Sequence, residues 1–376
     1  MKKKSIVFAF LLISFTITTC SPDKKNEKEE IVRINTNVDN FKSSGNLSDF
    51  LEVVKLIPLE TSQESLIDEV DKVVQFRENI YVFDLKSQKL LLFNLKGKFL
   101  GQIGQRGKGP GEYIEIHDFQ VDTINELIYL LDFRKIHIFS TKGKWIRTEN
   151  TEFMALALCK SANNEFVFYG GGRDDRIYKT NSDFKVINSF FPYSLAYRMS
   201  PRYPLSYYKN EILFHIPTCD TIFTLKDGKQ KPLMYLDFNG YNFTKNDFDR
   251  LPMTEQDNLY DYLRNSGKYV MCHGFLPLKN CAFISMNYSN TAYIGFYNLK
   301  TDQYSFVQLR KLTNDIFGPF MVLLPTGVTN DEFIFSVPPD KLIKDRNSSF
   351  YKKNIEILGG ITELSNPVLL LAKSKI

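Results

Sequence analysis

The sequence predicts an all-β fold: a six-bladed β-propeller with four antiparallel strands per blade, its ring closed by an N-terminal strand. Three observations lead there. Aromatic residues are abundant, with 32 Phe and 20 Tyr in 376 residues, and such side chains favour strands. Short apolar runs alternate with turn residues from about Val53 onwards. Two segments also repeat one another, NIYVFDLKSQKLLLFNLKGKFLGQIG from Asn79 and LIYLLDFRKIHIFSTKGKWIRT from Leu127. Each holds an Ile-Tyr strand ending in Asp, a polar break, a strand ending in Phe, then Lys-Gly-Lys and another strand. Asp84 and Asp132 stand 48 positions apart, and Gly97 and Gly143 stand 46 apart. A strand-only repeat of this period is a signature of propeller blades.

Looser copies begin near Glu165, Glu211, Cys281 and Glu332, which makes about six blades. The last blade has an inner strand expected at 320–325, then strands at 332–337 and 367–372, and it lacks an outer strand. Residues 54–59 are expected to supply it, because an unclosed ring leaves two sheet edges open. A pair of β-sandwiches would explain the alternation but not the repeated Asp and Lys-Gly positions. The one helical pattern, at 248–264, is read as an insertion between blades.

The N-terminus reads as a targeting segment. MKKK is followed by an apolar stretch at 6–17, too short to span a bilayer. Ile17-Thr18-Thr19-Cys20-Ser21 resembles the lipobox of bacterial lipoproteins, with Thr19 where Gly, Ala or Ser is usual. The resemblance implies a signal peptide at 1–19 and a lipid on Cys20. Residues 20–50 are then expected as a flexible tether, since SPDKKNEKEE offers no apolar anchor, and 51–376 as the propeller. The net charge is +5. Losing Lys2, Lys3 and Lys4 brings it to about +2, too balanced for a nucleic-acid partner.

GQIGQRGKGPGEY, residues 101–113, suggests a phosphate loop but lacks its chemistry. Gly109 stands where a Walker loop needs Ser or Thr, and no helix pattern follows. At this place in the repeat the chain must cross from the outer rim of one blade to the axis of the next. Glycine dihedrals and a proline turn serve that crossing. Gly107 to Tyr113 resembles the Gly-x-Gly-Pro-Gly-Glu-Tyr stretch of a family of six-bladed propeller lipoproteins of Gram-negative bacteria. Cys-Asp-Thr-Ile-Phe-Thr-Leu, from Cys219, is similar to a later motif of that family. NHL-repeat propellers carry a related glycine-rich segment. The resemblance implies the fold and a place in the cell envelope, as an outer-membrane lipoprotein that is periplasmic or surface-exposed.

Function is expected on one face. Tight turns such as 95–97 and 141–143 fall on one side of the ring, and long connections at 105–115, 170–176, 192–204, 240–268 and 338–364 on the other. Long loops gather where propellers bind ligands. They carry the ligand-binding candidates Arg106, Lys108, Glu112, Tyr113, Arg134, Arg173, Arg176 and Arg202, together with Lys341 and Arg346. Arginines there suit an anionic ligand, and Tyr113, Tyr203 and Tyr207 offer stacking surface for a sugar or peptide. His117, His137, His215 and His273 form no metal motif, and no Gly-x-Ser-x-Gly elbow occurs. No cofactor or metal is expected. Cys272 and Cys281 flank a turn, where they either pair or stay as buried thiols. The expected function is a lipid-anchored module binding a glycan, peptide or protein. The alternative is a metal-dependent propeller hydrolase or lyase.

Overall fold

A computed structural model describes residues 31–376, apart from 173, 193, 195–198, 227, 318–323 and 345. Its sheets form six blades in chain order. Blade one comprises Lys72–Phe76, Asn79–Asp84, Lys89–Asn94 and Phe99–Gln102; blade two Asp118–Asp122, Leu127–Asp132, Lys135–Ser140 and Trp145–Asn150. Blade three comprises Ala155–Lys160, Phe166–Gly170, Ile177–Thr180 and Val186–Phe190; blade four Leu205–Tyr208, Glu211–His215, Thr221–Lys226 and Lys229–Asp237. Blade five comprises Met271–Pro277, Cys281–Tyr288, Thr291–Asn298 and Tyr304–Gln308. Blade six takes Gly327–Val328, Phe333–Val337 and Val368–Ser374 from the end of the chain and Leu51–Pro58 from its beginning.

These strands read as nearly continuous apolar runs because a blade is covered on both faces. In blade one, Tyr81 and Phe83 pack towards blade two, while Ile80 and Val82 pack towards blade six. The two-residue period of a strand divides one sequence between two interfaces. Six such apolar clusters lie between successive blades, including the one joining six to one.

The repeated residues now have causes. Asp84 is fully buried and accepts the backbone N–H of Asp68 at 2.6 Å and of Ser87 at 2.9 Å. Asp132 accepts those of Ile114 and Glu115, at 2.9 and 3.2 Å. Each thus pins the connection that enters its own blade. Gly97 and Gly143 have φ of +81° and +85°. A Cβ on Gly97 would overlap the Pro58 carbonyl, and one on Gly143 would lie 3.0 Å from Ile103 Cδ1. Both turns sit against the end of the preceding blade's outer strand.

Residues 32–50 correct the expected tether. Val32–Asn35 adds to blade four as a fifth strand, parallel to Lys229–Asp237. Lys42 bridges to Val307 in blade five, and Gly45–Asn46 pairs with Leu312–Thr313. Ile34, Val38, Leu47 and Phe50 are buried along this path. The tether expectation rested on the polar run SPDKKNEKEE, which ends at Glu30, just before this segment begins. It is a strap along the rim of blades four to six. The inner strand of blade six is Gly327–Val328; of the expected 320–325, residues 320–323 lie outside the described residues. Cys272 and Cys281 are buried free thiols. Across the hairpin Cys272 faces Met286 and Pro277 faces Ala282, so the two cysteines sit at different heights.

The expected helical insertion is three short helices, Lys245–Asp249, Met253–Asp257 and Leu259–Asn265, with Leu259 and Leu263 buried. Three more, Pro339–Ile343, Ser349–Lys353 and Ile355–Leu358, occupy the long connection of blade six and had no clear periodic signal.

A chain starting at Leu51 keeps all four strands of blade six but loses the strap. Its melting temperature should fall by more than about 5 °C relative to a chain starting at Ile31, since at least four buried apolar side chains lose their site. Equal melting curves would show the strap to be dispensable. Gly97→Ala should destabilise by roughly 2 kcal/mol or more, through both φ and overlap. Gly228→Ala, with φ of +70° but nothing within 4 Å of its Cβ position, should destabilise by only about 1 kcal/mol.

Candidate functional site

The first strand of every blade faces the axis, where a cavity of about 400 Å³ is lined by residues of all six. Its walls are largely apolar: Val74, Phe83, Leu156, Leu158, Leu205 and Leu276. Polar groups also reach it, among them Asp71, Lys72, His117, Asp118, Gln120 and Ser206. Lys72 Nζ contacts Asp118 Oδ1 at 2.7 Å and donates to the Phe119 carbonyl at 2.8 Å. Lys72 and Asp118 hold the same position in consecutive blades, one opposite Phe83 and the other opposite Leu131. The other Asp118 oxygen accepts the Leu158 N–H at 3.0 Å, so one carboxylate joins three blades. Nearer the tight-turn end, Lys160 and Asp122 form a buried ion pair at 3.0 Å. Tyr207 donates its hydroxyl to the Lys160 carbonyl and leaves its ring exposed.

The long connections all lie on one side of the ring, at 59–71, 103–117, 191–204, 238–270, 309–326 and 338–367. Asp71, Leu85, His117 and Arg202–Pro204 bring that side to the cavity mouth. Arg202 is exposed, with its guanidinium 5.8 Å from the Tyr203 ring centroid, and its backbone N–H donates to the His273 carbonyl at 2.8 Å. Among the described residues it meets no carboxylate. A larger but shallow depression, about 490 Å³, lies at the rim between blades six and one. It gathers residues of only two blades, so the axial cavity is the better candidate.

The seven predicted residues that the structure describes do not converge. Arg202 alone lines the cavity. Arg106, Lys108 and Arg134 are exposed on loops away from its lining. Arg173 lies outside the described residues. Arg176 is 5% exposed and donates to the carbonyls of Gly170 and Gly172, holding its own loop. Glu112 closes the glycine stretch on itself, accepting from Gly109 N and Gln105 Nε2, both at 2.7 Å. The Gly109 N–H, then the Gln105 amide, hold its carboxyl below the usual range. A Cβ on Gly107 would overlap that carboxylate. Tyr113 is fully buried with its hydroxyl on the Gln88 carbonyl at 2.8 Å, so it offers no stacking face. The motif is a structural crossing. Of the stacking tyrosines, Tyr203 and Tyr207 do reach the cavity. Lys72, Asp118 and Gln120 were missed, although the matching positions of Lys72 and Asp118 in the repeat would have found them.

A second polar cluster is buried between blades four and five. Neither ring nitrogen of His215 finds a well-aligned partner, nor does Nε2 of His273. Burial, then the neighbouring His273, pushes His215 down to about 3, and burial pushes His273 down to about 4. Burial pushes the Asp220 carboxyl up to about 7, against a hydrogen bond from Asn242 Nδ2 at 2.6 Å. Among the described residues no three His, Cys, Asp or Glu side chains converge as metal ligands.

Comparison with protein families matches residues 29–373 to one described as a domain of unknown function, DUF4934. The chain belongs to the DUF4934 family. No curated protein matches it. Among solved structures, a candidate exported protein of Bacteroides fragilis is 21% identical with a TM-score of 0.77, covering 92% of this chain and 100% of that one. A member of the DUF4221 family from Bacteroides vulgatus is 12% identical with a TM-score of 0.52, covering 86% and 98%. At these identities both relations show the fold of the DUF4934 chain and nothing more.

The buried histidines give stability a pH dependence. Both are neutral in the fold, whereas the unfolded chain takes up protons below about 6.5. Their contribution is therefore complete above that pH and is lost as pH falls towards 4, at roughly 1.4 kcal/mol per histidine per pH unit. Asp220 has the opposite sign: its folded value is raised, so its contribution is complete below 3.8 and is lost as pH rises through 7. Between pH 6.5 and 4.5 the two histidines outweigh the one aspartate, and the melting temperature should fall. Asp220→Asn should steepen that fall and His215→Leu should flatten it. Parallel melting-temperature profiles for the three proteins would refute the assignment.

Proposed function

We propose that this propeller is an extracytoplasmic binding module, held at a membrane by lipid on Cys20, that takes a glycan, peptide or protein segment into its axial cavity from the long-loop face. The observation that carries the reading is the cavity itself. Its wall, drawn from six blades, presents one unneutralised cation, Arg202, at the long-loop mouth and the exposed ring of Tyr207 towards the tight-turn end. Such a site favours a ligand with an apolar or sugar face and one acceptor group. Lys72 and Lys160 are held by Asp118 and Asp122 and shape the wall instead. The extracytoplasmic location is supported by the N-terminal sequence and by the name of the Bacteroides fragilis neighbour as a candidate exported protein.

Glycan and peptide arrays probed with residues 31–376 should yield a ligand. Tyr207→Ala and Arg202→Ala should each weaken its binding by about tenfold or more, the scale of one stacking or charged hydrogen-bond contact. Lys279→Ala and Lys300→Ala, on the tight-turn side, should leave it unchanged. Loss confined to the lysine variants would place the site on the wrong face.

A further inference from the structure

The outer corner of blades one and two carries chemistry that the axial site does not use. The turn at 95–98 presents Lys96 and Lys98, and the turn at 141–144 presents Lys142 and Lys144, all exposed. Among the described residues none of the four meets a carboxylate. Beside them Leu100 is 50% exposed, Ile146 43% and Trp145 38%. The two turns hold the same place in consecutive blades: Gly97 lies against Pro58 of blade six, Gly143 against Ile103 and Gln102 at the end of blade one's outer strand, and Trp145 packs on Gly111. The strap covers the outer edges of blades four and five, whereas the outer strands of blades one and two have no further neighbour among the described residues.

Lysines alone would serve to keep an open sheet edge from pairing. Exposed Trp, Ile and Leu on the same edge do the reverse, since they leave apolar area in water. Lysines around an aromatic and aliphatic tip are instead the composition of a surface that enters a lipid interface. The apolar side chains reach the acyl boundary and the ammonium groups meet anionic headgroups. The chain outside the described residues agrees with that occupant. From Cys20 to Glu30 it extends over at most about 40 Å, so a lipid on Cys20 keeps the ring beside the bilayer. We infer that this corner docks on anionic phospholipid, with Trp145, Ile146 and Leu100 entering the interface and the four lysines holding headgroups. The inference rests on the membrane location proposed above and not on any axial ligand.

Trp145 is the only tryptophan of the chain, so its emission reports the contact directly. The test uses unlipidated residues 31–376, a compact unit with a closed ring, mixed with phosphatidylglycerol–phosphatidylcholine vesicles or pure phosphatidylcholine vesicles. With the anionic vesicles the emission should move to shorter wavelength, be quenched by brominated lipid, and recover on adding salt. A variant carrying Lys96→Glu, Lys98→Glu, Lys142→Glu and Lys144→Glu should bind at least about tenfold more weakly, with an unchanged melting temperature. Ile146→Ser with Leu100→Ser should also weaken binding while keeping its salt dependence. No shift with the anionic vesicles overturns the inference. So does a shift produced by soluble polyglutamate and not by vesicles, which would assign the corner to an acidic protein. Neither result bears on axial binding, because no axial ligand is present.

Discussion

A blade here has two apolar faces and no means of covering either by itself. Ile80 and Val82 require blade six as much as Tyr81 and Phe83 require blade two. The chain delivers blades in order, so the contact between six and one is the only interface whose partners lie at opposite ends of the sequence. Ring closure is therefore the constraint on which the other five interfaces depend, and the N-terminal strand Leu51–Pro58 is its instrument. Asn366 secures the same seam. It accepts from Ile67 N at 3.0 Å and donates to the carbonyls of Glu60 and Ser65, both at 2.7 Å, tying the connection into blade one to the last blade.

The strap extends this logic. An outer strand is a row of unpaired backbone groups, and Val32–Asn35 satisfies one on blade four by parallel addition. Phe41 then lies against Tyr293 and Phe306 of blade five, at centroid distances of 5.2 and 5.1 Å. The chain thus passes three blades before it enters its own ring. Closure is not left to one strand pair, since the clusters of blades four, five and six each take side chains from the same N-terminal segment.

What could be read from the sequence was whatever the repeat made visible. Asp84 with Asp132, and Gly97 with Gly143, were found because they recur, and they recur because each blade poses the same local problem. The strap escaped notice because its burial is irregular: Ile34, Val38, Leu47 and Phe50 follow no period. Periodicity reports a regular element packed on one surface, and a segment that crosses several surfaces has none. The glycine stretch was correctly placed as a crossing, yet Glu112 and Tyr113 within it were counted as ligand contacts. Composition shows which residues a loop holds, not which of them turn inward. Tyr113 turns inward because Gln88 offers its carbonyl there, a contact across 25 positions that no local pattern announces.

The axial site shows why function was less legible than fold. A cavity on a symmetry axis takes a few residues from every blade, so its members are scattered along the chain from Asp71 to Val328. Sequence reasoning searched the loops, where candidates cluster, and found Arg202 there. Lys72, Asp118 and Gln120 sit on inner strands, where a polar residue among apolar neighbours reads as an irregularity in the repeat. Those irregularities carry the chemistry. The fold alone would be met by an apolar residue at each inner position, and burying a charge is unfavourable unless it is paired. Lys72 with Asp118, and Lys160 with Asp122, meet that condition across blade boundaries, so the same groups that give the axis its polar character also hold three blades in register.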